Sequence, residues 1–181
     1  MIYLDNTSTT SPKPEEVCLA VEKCIRENYG SPGRSVTSAN EKADVIFETR
    51  KLIGSLINIE DPNRIVFTCS ATDSLNLAIQ GYLKKGDHVI ITSMEHNSVL
   101  RPLKHMELEG LIELSVVYAD KFGYVNPEEI RAQIKSNTTL IATTHASNVT
   151  GTIVDIEILS KINSYENNYL FSCHFIIISL W

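Results

Sequence analysis

The stretch that decides the fold is Arg64-Ile65-Val66-Phe67-Thr68-Cys69-Ser70-Ala71-Thr72-Asp73-Ser74-Leu75-Asn76-Leu77-Ala78-Ile79. Its composition predicts a strand over residues 65–68, a turn of small polar residues, and a helix over residues 73–82. The start of a helix presents unpaired N–H groups and a positive dipole end, so this turn is suited to hold a phosphate. The alternative is ordinary helix capping by Ser70 or Thr72. No G-K-[ST] or G-x-G-x-x-G pattern accompanies it.

The same alternation of strand and helix continues toward the C-terminal end. We predict strands over residues 88–92, 112–117 and 140–144, with another beginning at Tyr169, and helices over residues 97–109, 127–135 and 156–167. Strands that alternate with helices indicate a parallel or mostly parallel sheet with helices on both faces. The sequence therefore predicts one α/β domain.

Two helices are predicted before the quoted stretch. One begins at Pro14 and runs to about Asn28, and the other covers residues 39–56. The apolar spacing of the second helix predicts a buried side that consists of Ala43, Ile46, Phe47, Ile53 and Leu56.

Composition limits the class of protein. The chain has 181 residues, of which 43% are hydrophobic and 21% charged, so it can bury a core, and its net charge is −6. This acidic balance argues against a nucleic-acid or anionic-membrane partner. The four cysteines show no metal or disulfide spacing, and we predict no metal site. No signal-peptide pattern opens the chain, so we expect a cytoplasmic protein.

Two more polar segments follow predicted strands. His96 lies in Ser93-Met94-Glu95-His96-Asn97-Ser98-Val99, where an imidazole could stack on a planar cofactor, move a proton, or simply cap the next helix. Asn148 lies in Thr144-His145-Ala146-Ser147-Asn148-Val149-Thr150-Gly151-Thr152 and offers a directional amide. Because the carboxyl ends of parallel strands share one edge of the sheet, we expect these loops to lie together.

These segments, taken in order, resemble the class V aminotransferases, and most closely their cysteine desulfurase and selenocysteine lyase branch. The resemblance rests on Tyr3-Leu4-Asp5-Asn6-Thr7-Ser8-Thr9-Thr10, the Ser70-Ala71-Thr72 turn, Gly86-Asp87-His88, Glu95-His96-Asn97-Ser98-Val99 and the Asn148 segment. It implies the large domain of a type I pyridoxal 5'-phosphate (PLP)-dependent transferase, truncated before the full sheet and the small domain. We therefore expect a partial PLP-binding domain over residues 1–171 and an aberrant apolar tail over residues 172–181.

The resemblance also implies roles for four residues. Ala71 and Thr72 match the pair that holds the cofactor phosphate, and Asn148 matches the asparagine that hydrogen-bonds the phenolic oxygen of the ring. His96 matches the histidine that stacks on the pyridine ring and assists proton transfer, so it is the one expected catalytic residue. The implied reaction removes sulfur from L-cysteine to give alanine and an enzyme persulfide. The implied partners are a second copy of the chain and a sulfur-acceptor protein.

The pattern breaks near the end of the chain. PLP chemistry needs a lysine for the Schiff base and an acid beside the pyridine nitrogen, and desulfuration needs a cysteine thiolate. In the family the acid belongs to a V-D-x-x-Q pattern, and the matching place here reads Ser172-Cys173-His174-Phe175. Lys104, Lys121, Lys135 and Lys161 do not match the family lysine, and Cys69 lies in the phosphate turn. We therefore expect an inactive chain. The alternatives are another class V aminotransferase, a selenocysteine lyase, or a remnant that binds PLP without catalysis.

Overall fold

The computed structural model describes residues 2–4, 6, 10–27, 37–147, 149–165 and 171–173. These residues fall into two compact units, one that ends at Phe67 and one that begins at Thr68.

The first unit contains two helices and a short 3-10 turn. Helix α1 spans Glu15–Glu27 and helix α2 spans Thr37–Leu56, which confirms both predicted helices. The 3-10 turn spans Pro62–Arg64 and contacts α2. Asp61 caps this turn because its side chain accepts the N–H of Asn63 at 2.9 Å.

Two predictions for this unit are wrong. Residues 65–68 pair with no strand in the described part of the chain, and the N–H of Ile65 donates to the carbonyl of Pro62, which closes the 3-10 turn. The predicted buried side of α2 is not buried: Leu56 is 72% exposed, Phe47 37% and Ile46 36%, whereas Ile53 is half-buried. The reason is that helical spacing shows which side chains share a face but not whether another element covers that face. The side chain of Ala43 lies outside the described residues.

The second unit contains a four-stranded parallel sheet. Its strands are β1 (Asp87–Thr92), β2 (Ile112–Val117), β3 (Thr138–Ala142) and β4 (Phe171–Cys173), in the order β2-β1-β3-β4. Every pairing is parallel. The sheet confirms the predicted strands that correspond to β1, β2 and β3, although β3 lies two residues earlier than predicted. The fourth strand was predicted to begin at Tyr169, which lies outside the described residues, and β4 is described from Phe171.

Helices cover both faces of this sheet. They are α3 (Ala71–Tyr82), α4 (Asn97–Leu108), α5 (Pro127–Ala132) and α6 (Ile156–Tyr165). In strand β1, Val89 and Ile91 join the core cluster that contains α3 and α4 residues, whereas Ile90 joins the cluster that contains α5 and α6 residues. This alternation follows from the two-residue period of a strand. It explains why β1 reads as a continuous apolar run: both of its faces are buried.

Candidate functional site

The turn before α3 is an open set of hydrogen-bond donors. Ser70 is the N-cap of α3, and its hydroxyl accepts the N–H of Asp73 at 3.1 Å. The first two N–H groups of the helix, on Ala71 and Thr72, have no acceptor among the described residues. Ala71 is half-buried and Thr72 is exposed. The predicted phosphate-binding pair therefore lies where two N–H groups and one hydroxyl can reach an anion.

An open groove of about 580 Å³ runs from this turn along one side of α3. It is lined by Thr68, Cys69, Asp73, Asn76, Leu77, Gln80 and Gly81. The lining of the groove includes neither the predicted phosphate-binding pair, Ala71 and Thr72, nor His96.

His96 follows β1 and caps α4. Its Nδ1 accepts the N–H of Ser98 at 3.1 Å and lies 2.8 Å from the Ser98 hydroxyl. Capping, which was one of the alternatives from sequence, is therefore observed. A ring nitrogen that accepts an N–H carries no proton, so in the neutral ring the proton is on Nε2. The ring is exposed, and its Nε2 has no partner among the described residues, so capping leaves one ring nitrogen and the ring face accessible.

The loops after β1, β2 and β3 meet at the carboxyl edge of the sheet. The predicted approach of the His96 segment to the segment that begins at Thr144 is therefore observed, whereas no hydrogen bond among the described residues joins the Ser70-Ala71-Thr72 turn to either segment. The hydroxyl of Ser93, after β1, accepts the N–H of Ala119, after β2, at 2.9 Å. The side chain of Glu95, also after β1, accepts the N–H of Thr144, after β3, at 2.8 Å. The loops after β2 and β3 also approach closely, since Thr152 Oγ1 lies 3.4 Å from the carbonyl of Phe122.

The segment after β3 folds around Ser147. The Ser147 hydroxyl accepts the N–H groups of Val149 and Thr150, both at 3.2 Å, and its carbonyl accepts that of Gly151 at 2.9 Å. Asn148, the fourth predicted site residue, lies outside the described residues. No group of histidine, cysteine, aspartate and glutamate side chains in the described ranges is arranged to hold a metal ion.

The sequence pattern indicated no role for Glu95, which precedes His96 directly. Burial raises the pKa of Glu95 above its ordinary value, against the opposing effect of hydrogen bonds from Thr92 and Thr144. A half-buried carboxylate at a strand end could not be read from the sequence, because its burial depends on the strand that lies next to β1.

Comparisons with known proteins agree with this architecture. Residues 2–173 match the family Aminotransferase class-V. The chain is 41% identical over 167 residues to cysteine desulfurase IscS 1 of Archaeoglobus fulgidus, covering 90% of this chain and 43% of that protein. It is 34% identical over 174 residues to cysteine desulfurase IscS of Methanosarcina thermophila, covering 94% of this chain and 42% of that protein.

Solved structures show the same fold. The apo structure of cysteine desulfurase from Thermococcus onnurineus NA1 superposes with a TM-score of 0.82 at 27% identity, over 94% of this chain and 43% of that one. A NifS-like protein gives a TM-score of 0.81 at 25% identity, over 90% of this chain and 45% of that one.

The chain thus spans less than half the length of the relatives that it matches. The family match ends at residue 173 and so includes β4, whereas the motif resemblance ended two residues earlier, at residue 171. The predicted fold class is confirmed. The order of the motifs, the parallel sheet with helices on both faces and these matches together establish that the chain belongs to the class V aminotransferase family.

Proposed function

We propose that this protein binds PLP and belongs functionally to the cysteine desulfurases, which take sulfur from L-cysteine and leave alanine. The observation that carries the proposal is the turn before α3, where the N–H groups of Ala71 and Thr72 have no acceptor among the described residues. Two backbone donors, a hydroxyl and a helix N-terminus fit a phosphate group. The names of the similar proteins point to the same activity.

The residues of this chain divide the task of holding the cofactor. Ala71 and Thr72 would bind its phosphate, the exposed ring of His96 would stack on its pyridine, and Asn148 would donate to its phenolic oxygen. Bound PLP supplies an electron sink for the Cα of an amino-acid substrate. The Nε2 of His96 is the atom available to hold or move a proton, because Nδ1 is engaged by Ser98.

PLP titration followed by absorbance tests the cofactor proposal. Thr72→Ala removes one hydroxyl donor to the phosphate and should weaken binding about tenfold, the usual effect of losing a hydrogen bond to a charged group. Thr72→Ser should restore it. Ser136→Ala is the matched control, because it removes an exposed hydroxyl in the loop before β3, at the opposite edge of the sheet. Equal affinity of wild type and Thr72→Ala would contradict the assignment.

We further propose that the 181 residues by themselves do not desulfurate cysteine. Where the family has an acid beside the pyridine nitrogen, this chain has Cys173 or His174, and neither stabilises a protonated ring as a carboxylate does. Alanine released from L-cysteine in the presence of PLP should stay at the level given by free PLP. Release above that level would refute inactivity and leave the cofactor proposal intact.

The cytoplasmic location, the second copy of the chain and the sulfur acceptor also remain proposals. In the described part of the chain, no helix has both the length and the apolar character needed to cross a membrane.

A further inference from the structure

Glu95 occupies the point where the ends of β1 and β3 meet. Its Oε1 accepts two hydrogen bonds, one from the hydroxyl of Thr92 at 2.6 Å and one from the N–H of Thr144 at 2.8 Å. The Thr92 hydroxyl in turn accepts the N–H of Met94 at 3.2 Å. Thr92 is fully buried and Glu95 half-buried. These hydrogen bonds therefore connect the end of β1 to the end of β3.

Ion pairing does not explain this carboxylate. Glu95 makes no salt bridge within the described residues, whereas Glu113 and Glu157 each pair with a lysine. A half-buried carboxylate without a cationic partner pays a desolvation cost. Burial accordingly raises its pKa, and the two hydrogen bonds oppose that rise. The Glu95 side chain connects the loop after β1 to the loop after β3 through its hydrogen bond with Thr144.

We propose that Glu95 is a positioning residue, whose Oε1 fixes the segment that begins at Thr144 to the turn that carries His96. The segment from Thr144 to Thr152 includes Asn148, so this connection would set the spacing between the ring-stacking and phenolic-oxygen contacts. The expected effect of Glu95 on PLP binding rests on the proposed function. The hydrogen bond between Glu95 and Thr144 does not depend on that proposal.

Amide hydrogen exchange on the 181-residue chain tests the connection without any ligand. In Glu95→Ala the Thr144 amide should exchange about tenfold faster, since it loses its charged acceptor. Ile90, fully buried in the strand between β2 and β3, is the internal reference for global opening. The control Glu113→Gln changes an exposed carboxylate at the other end of the sheet and should leave both amides unchanged. Equal acceleration of Thr144 and Ile90, or no acceleration of Thr144, would overturn the proposal.

A pH titration of the wild-type protein serves if Glu95→Ala does not fold. The Thr144 amide proton should report a titration above the ordinary glutamate pKa, and Glu95→Gln should abolish it. The neighbouring His145 is unchanged in Glu95→Gln, so a titration that persists in this variant does not come from Glu95 and counts against the proposal.

PLP binding then separates the two proposals. If wild type binds PLP, Glu95→Ala should weaken binding about tenfold and Glu113→Gln should not. Unchanged binding by Glu95→Ala would overturn the positioning role. If wild type binds no PLP, the proposed function fails, and the exchange experiment alone decides the role of Glu95.

Discussion

At the scale of single residues, the buried imidazole of His88 stands out, near the end of β1 away from the candidate site. Its Nδ1 lies 2.7 Å from the Thr138 hydroxyl and its Nε2 lies 2.9 Å from the Ser115 hydroxyl. Thr138 Oγ1 also accepts the N–H of Lys135 at 2.8 Å. Both ring nitrogens of His88 and both hydroxyls have a hydrogen-bond partner when the Thr138 hydroxyl donates to Nδ1 and Nε2–H donates to the Ser115 hydroxyl. The ring then bridges β2 and β3 in its neutral form.

This arrangement predicts that the protein becomes less stable as the pH is lowered. Burial is the largest cause that lowers the pKa of His88; Lys135 lowers it further, and Glu113 raises it. The unfolded chain therefore takes up a proton at a higher pH than the folded chain does. The free energy of unfolding should drop as pH falls below about 6.5, the ordinary histidine pKa. Urea unfolding between about pH 8 and pH 5.5 measures it.

The variant His88→Gln isolates this effect, because it removes the titrating group. Its pH dependence should be shallower than that of wild type, and it should lose about 2 kcal/mol at neutral pH because the hydroxyls of the buried Thr138 and the half-buried Ser115 lose their partner. His105→Gln is the control, since His105 is exposed on α4. An unchanged pH dependence in His88→Gln would assign the titration to another group.

Gly123, at the carboxyl edge of the sheet, is a second single position where the structure restricts which residue can be accommodated. Its φ is +85°, and a Cβ built there would lie 2.5 Å from Thr152 Oγ1. Gly123→Ala should therefore destabilise the protein by about 2–3 kcal/mol, from backbone strain and from the clash.

Gly110 provides the matched control for Gly123. Its φ is +65°, but a Cβ there meets nothing within 4 Å. Gly110→Ala should thus cost only the strain of the backbone, about 1 kcal/mol. Denaturant midpoints of both variants and of Gly123→Ala/Thr152→Ala decide the matter: equal losses at the two glycines, or no recovery in the double variant, would exclude the clash.

At the scale of elements, helix α4 shows how one helix divides core from surface. Leu103 is fully buried in the cluster that contains Val89 and Ile91, whereas Leu108, at the end of the same helix, is 83% exposed. Leu103→Ala should destabilise the protein by about 3 kcal/mol, and Leu108→Ala by less than about 0.5 kcal/mol. Thermal or urea unfolding measures both. Similar losses would contradict the assigned faces of α4.

Helix α2 shows the limit of the same sequence pattern. The spacing of its apolar residues predicted the helix correctly but not the burial of its face, because burial needs a partner element. Residues 65–68 failed for a related reason. Their β-branched and aromatic composition fits a strand, yet the N–H of Ile65 closes the 3-10 turn. A strand is defined by its pairing, and pairing is not local.

At the scale of the whole molecule, exposed apolar side chains predict self-association. Ile25 on α1 and Leu52 and Leu56 on α2 are 77%, 72% and 72% exposed. Leu52 and Leu56 lie one turn apart on α2, and exposed apolar side chains that share a surface favour association. Multi-angle light scattering should show species larger than a monomer, and Leu52→Glu/Leu56→Glu should reduce their share. A monodisperse wild-type monomer would refute the prediction.

The sequence by itself determined the family, the alternation of helices and strands, and the placement of Ala71, Thr72 and His96 at helix starts. These properties depend on neighbouring residues, on periodicity and on ordered motifs, all of which are local in the chain.

The tertiary structure alone decided which loops touch. The strand order β2-β1-β3-β4 places β1 between β2 and β3, so Glu95 meets Thr144 and Ser93 meets Ala119. The same order gives His88 a partner on each side. These contacts join residues 26 to 50 positions apart. Sheet pairing, which depends on the packing of the whole core, brings them together, and no local pattern encodes it.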